Sequence, residues 1–201
     1  MGRKTDLSRW RKDDTRRVRG NGAGPPSHLW PGAAGLVLLA LAGCSPSTHD
    51  LSARGQLGLL HERMQRAPET AHNRDDWGKT PLHHAVSFRE LAAADLLVRA
   101  GAEIDAADET GMTPLHTAAM LGRTRLAAWL LRQGANVAQR DQFGNTPAHT
   151  AALFGQGGMF PVLRDHGADL TAQNDVAATP RDLALREGHQ RAADYLAHLT
   201  R

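Results

Sequence analysis

A single cysteine, Cys44, serves the whole 201-residue chain. No intramolecular disulfide can form, so packing alone must hold the fold, and a zinc site built on several thiolates is excluded. Long apolar runs are scarce as well. The clearest, residues 33–43, is too short to span a bilayer comfortably as a permanent helix. Clustered basic charge is missing from most of the chain. The formal net charge is +3, but residues 1–44 supply eight Lys and Arg against Asp6, Asp13 and Asp14, while residues 45–201 carry 16 basic against 18 acidic residues. The basic character therefore belongs to the leader. A mildly acidic body makes a poor polyanion binder, because neutralising phosphates takes grouped Lys and Arg, and no nucleic-acid partner is expected. Nucleophile motifs are missing too. There is no G-x-S-x-G and no glycine-rich phosphate loop after a strand pattern, and neither Ser52 nor Ser87 has a partnered base. No catalytic residue and no cofactor is expected.

What is present divides into a leader and a repeating body. Residues 33–43 read Ala-Ala-Gly-Leu-Val-Leu-Leu-Ala-Leu-Ala-Gly, follow an Arg-rich stretch and end in small residues, as the apolar core of a cleavable secretion signal does. The tetrad Leu41-Ala42-Gly43-Cys44 that closes it resembles the lipobox of bacterial lipoproteins. That resemblance implies removal of residues 1–43, a diacylglyceryl group on the Cys44 thiol and usually an acylated new amino terminus. Two or three acyl chains suffice for stable anchoring where one binds only marginally. In that family Asp after the cysteine tends to retain the protein in the inner membrane, so Ser45 leans toward the outer membrane, facing the periplasm. Residues 44–49 are then the lipidated cysteine and a linker.

The body keeps a beat. Thr80-Pro81-Leu82-His83, Thr113-Pro114-Leu115-His116, Thr146-Pro147-Ala148-His149 and Thr179-Pro180-Arg181-Asp182 recur at a step of 33 residues. On the same frame fall Asp75, Asp108, Asp141 and Asn174, then Gly78, Gly111, Gly144 and the departure Ala177, then Ala85, Ala118, Ala151 and Ala184. A fixed period of this size marks stacked units that cannot bury their apolar faces alone. Asp and Gly suit a tight turn, Thr an N-cap, and Pro the first helical position, where its missing N–H costs nothing. Gly101, Gly134 and Gly167 suit helix C-terminal caps.

These residues together resemble the ankyrin repeat, a turn followed by two antiparallel helices. The resemblance implies an all-α solenoid of stacked helix-turn-helix units, four of them over residues 73–201 (about 75–107, 108–140, 141–173 and 174–201). Residues 50–72, with Gly55 and Leu59-Leu60, fit a degenerate helical pair acting as the N-terminal cap. Gly157-Gly158 and Pro161 predict that the second helix of the third unit starts late, near Gly158, and make that unit the softest.

Eleven histidines tempt a metal reading. Yet His83, His116 and His149 sit one per unit, roughly a helix-packing distance of 8–10 Å apart, too far to share one ion. In the ankyrin family this histidine bonds backbone in the neighbouring turn. His49 and the remaining histidines follow no ligand spacing, and no metal is expected. The resemblance implies a protein partner on the turn tips and the first helices. The candidates are Asp76, Trp77 and Lys79; Glu109, Thr110 and Met112; Gln142, Phe143 and Asn145; and, on a helix, Met120. Trp77, Met112, Met120 and Phe143 form a stripe more apolar than solvation requires. Phe88, Leu121 and Phe154 are expected to pack between units. The sequence thus suggests a monomeric, non-enzymatic ankyrin-repeat lipoprotein of the cell envelope that binds protein and touches membrane through Cys44. Alternatives are an accessory or chaperone-like factor for an envelope enzyme, a histidine-based ligand module, and an intracellular protein with a misread leader.

Overall fold

The computed structural model describes residues 46–200. The leader and Cys44 lie outside them. Among the described residues there are ten α-helices and no strand, an all-α repeat solenoid. The capping pair is α1 (Thr48–Ala53) and α2 (Leu57–Arg66), followed by a 3-10 helix, Pro68–His72. The full units follow: α3 (Pro81–Ser87) with α4 (Leu91–Arg99), then α5 (Pro114–Met120) with α6 (Thr124–Arg132). Next come α7 (Pro147–Leu153) with α8 (Met159–Asp165), and last α9 (Pro180–Arg186) with α10 (Gln190–Leu199). The odd-numbered helices stack on one another as an inner layer, and each even-numbered helix packs on its own partner outside it.

Local chemistry sets these boundaries. Thr80, Thr113, Thr146 and Thr179 are extended N-caps, each followed by proline at the first helical position. The outer helices close as the glycines predict. After α4, Gly101 N–H donates to Val98 O at 3.0 Å and Ala102 N–H to Leu97 O at 2.9 Å, a Schellman ending. The linker is shorter than expected. Ser47 Oγ accepts from Asp50 N–H at 3.1 Å while the Asp50 carboxylate accepts from Ser47 N–H and O–H, so α1 begins at Thr48 rather than at 50.

The core lies between the layers. Leu82, Leu97, Leu115, Leu130, Leu163 and Leu196 are fully buried, and so are the framed alanines Ala85, Ala118, Ala151 and Ala184, whose small side chains let the inner helices approach. The third unit departs as the glycines and proline predict: α8 starts at Met159 behind Gly158 and has seven residues where α6 has nine. Phe160, fully buried, stands where the other units carry Ala94, Ala127 and Ala193, and packs at 6.5 Å between ring centroids from Tyr195. The shortened helix is offset by a larger side chain.

Candidate protein-interaction surface

The turn tips are built alike. Asp75 Oδ1 accepts from Trp77 N–H and Lys79 N–H, both at 2.9 Å. Asp108 does the same for Thr110 and Met112, Asp141 for Phe143 and Asn145, and Asn174 for Val176 and Ala178. Neighbouring tips are then laced through backbone: Glu109 N–H donates to Trp77 O at 3.1 Å, Gln142 N–H to Thr110 O at 3.1 Å and Asp175 N–H to Phe143 O at 3.2 Å. Space there is tight. A Cβ on Gly111, whose φ is +80°, would lie 2.8 Å from Gln142 N.

Beneath the tips runs a ladder of imidazoles. His83 Nδ1 accepts from Thr80 N–H at 3.1 Å, which leaves the proton on Nε2, and Nε2–H donates to Met112 O at 3.0 Å. His116 joins Thr113 to Asn145 O, and His149 joins Thr146 to Ala178 O, in the same way. Each ring closes its own helix cap and reaches the next unit, so neither nitrogen is left for a metal ion. Burial pushes His83 down to about 4, against the bond to Met112 that favours its charged form. His116 and His149 are also pushed down, again chiefly by burial. In the last unit Asp182 replaces histidine; it accepts from Thr179 N–H at 2.9 Å and caps only.

His49, which stands outside the 33-residue frame, joins the ladder. From the capping pair its Nε2 donates to Lys79 O at 3.1 Å, the fourth rung of the ladder. Its ring meets the His84 ring edge-on at 5.1 Å, and His84 Nε2 donates to Asp75 Oδ2 at 2.8 Å. His49 lies one residue off the 33-residue frame, so the frame alone could not find it.

The candidate contacts divide. Asp76, Trp77, Glu109 and Gln142 are exposed, Trp77 by 50%. Lys79, Thr110, Met120 and Phe143 are half-buried. Met112 and Asn145 are corrections: they are 3% and 8% exposed. The position they share supplies the carbonyl that takes the preceding histidine, and Asn145 Nδ2 is further tied to Asp141 Oδ2 at 3.2 Å. Val176, 57% exposed and on the Trp77 and Phe143 register, takes the place in the tip stripe that Met112 loses. Leu121 and Phe154 are half-buried, but Phe88 is 59% exposed, contrary to the expected packing between units.

Stacked helix pairs joined by hydrogen-bonded turns define the class as an all-α repeat solenoid. Residues 49–141 match the family described as ankyrin repeats, in three copies. Two copies correspond to the units at about 75–140, which leaves the third to the capping pair. The remaining units repeat the same turn and cap, and the first of them also the ladder. No curated protein matches the chain. Ankyrin repeats generally mediate protein–protein interaction.

Proposed function

We propose that this chain is a non-enzymatic protein-binding scaffold held at a bacterial envelope membrane through lipidated Cys44, facing the periplasm. The observation that carries the binding surface is the half-exposed indole of Trp77 on a tip whose backbone is tied at both ends. A large apolar side chain displayed on a rigid support loses little entropy on docking, and aromatic residues are over-represented at interfaces. Phe143 and Val176 extend the surface along the tips. The anchor rests on the lipobox tetrad after its apolar run. Crosslinking in intact cells followed by mass spectrometry tests the pair of claims. Trp77→Ala with Phe143→Ala should reduce capture of the crosslinked partner at least tenfold with the helix content unchanged, and Cys44→Ser should abolish incorporation of labelled palmitate. Undiminished capture would end the tip reading; undiminished label would end the anchor.

A further inference from the structure

At the other end of the inner helices, where each turns into its outer helix, the units differ. A side chain from each turn lies back over the preceding unit. The Glu90 carboxylate lies against Gly55, Gln156 Nε2–H donates to Met120 O at 3.2 Å, and His189 Nε2–H donates to Leu153 O at 3.1 Å. Arg123 Nη2–H donates to Ser87 O at 3.2 Å. Only this last side chain meets a like charge. Burial, and after it the positive charge of Arg89, disfavours the charged form of Arg123. Its Nε–H is buried and has no hydrogen-bond partner.

Arg89 is itself anomalous. Its φ is +68°, the left-handed conformation held by Gly122, Gly155 and Gly188 at the same position of the later units. A non-glycine residue there is strained, and such strain persists where the side chain is used. Among the described residues Arg89 has no ion pair, and the nearest carboxylate in sequence, Glu90, lies against Gly55. Phe88, immediately before it, is the most exposed large apolar side chain among the described residues. Arg125, at the start of α6, is exposed too.

We infer that Phe88, Arg89 and Arg123 form a second docking site, separate from the tips, for an acidic peptide segment of a partner protein that sets a carboxylate between the two guanidinium groups and an apolar side chain on Phe88. Charge complementarity carries the choice. Arg123 is laid over the turn that carries the exposed Phe88 and Arg89 by its bond to Ser87 O, and an Arg holds a carboxylate by paired N–H donors. The inference rests on the reading of the repeats as a protein-binding scaffold.

The test is selection of a displayed library of short random peptides on the full-length protein in neutral detergent, followed by anisotropy titration of the recovered sequences. Recovered peptides should be rich in Asp and Glu beside aliphatic or aromatic residues, and should bind more weakly as salt rises. Arg89→Gly and Arg123→Gln should each weaken them about tenfold, a loss of about 1.4 kcal/mol. Both variants install residues that sister turns already carry, so the fold is kept. Trp77→Ala should leave this binding unchanged, which distinguishes failure here from failure of the tip surface. Recovery of no peptide or of neutral or basic ones, equal affinity for Arg89→Gly, or tighter binding of inorganic phosphate or phosphatidylglycerol vesicles at these arginines would overturn the inference.

Discussion

Along the tip edge every unit does the same thing with its backbone; along the helix-turn edge each unit does something different with a side chain. Asp or Asn and an internal turn recur four-fold at the first edge, and three backbone bonds join each tip to the next. At the second, Glu90, Arg123, Gln156 and His189 occupy one position with different chemistry. The contrast separates two demands on a solenoid. Stacking needs each unit to present the same donors and acceptors to its neighbours, which fixes residues on the period. Edges that pack loosely are free to vary, and individual character collects there.

Acid should break the regular edge most severely, because it strikes several rungs at once. The folded-state affinity of His83, His116 and His149 for a proton is lowered, so the unfolded chain binds protons first as pH falls. Stability is complete above the ordinary histidine value of 6.5 and is lost as pH drops from there toward about 4, where His83 at last protonates in the fold. His84, held down mainly by burial, adds to the same window. Asp169 and Asp182 are lowered by hydrogen bonds from Thr171 and Thr179, and their contribution fades only below the ordinary value of 3.8. Urea midpoints measured across this range should be flat above pH 7 and fall steadily through the histidine window. A midpoint unchanged from pH 7 to 4.5 would show that the ladder does not couple the units.

A single rung gives the next largest effect. His116→Leu leaves Thr113 N–H buried without a partner and takes from Asn145 O the donor of the preceding unit, leaving it only Asp141 N–H at 2.9 Å, and should cost about 2 kcal/mol. Asp182→Ala, which removes only a cap on an exposed helix start, should cost about 1 kcal/mol. Equal losses in urea titrations of the two variants would contradict the double role assigned to the histidine.

The sequence made the regular edge legible and the irregular one nearly invisible. The 33-residue step located the caps, the tips and the late start of α8 because those features need particular residues at particular backbone angles. It misplaced Met112 and Asn145, since a tip position that faces inward in one unit carries the solvent-reaching Lys79 in another and Ala178 in the last. It missed His49 because the capping pair has lost the frame by one residue. Arg89 and Arg123 escaped because a lone arginine in a turn is ordinarily a solvated one, and only coordinates show Arg123 laid over the turn that carries Arg89. What the period cannot encode is what happens between non-equivalent residues of adjacent units.

The smallest effect sharpens the comparison from within the tip edge itself. Ala177 departs from the glycine of Gly78, Gly111 and Gly144, yet keeps the same left-handed backbone at φ +57°. Among the described residues no further tip lies beyond it, whereas a Cβ on Gly111 would meet the backbone of the next tip. Ala177 thus bears the conformational cost alone. Ala177→Gly relieves that cost but gains freedom in the unfolded chain, so the net stabilisation should be only about 0.5 kcal/mol. Gly111→Ala adds the collision to the conformational cost and should lose more than about 2 kcal/mol. Thermal unfolding of both variants decides it. If Gly111→Ala were no worse than the reverse change at Ala177 is helpful, the tips would not be in the close backbone contact on which the regularity of this edge depends.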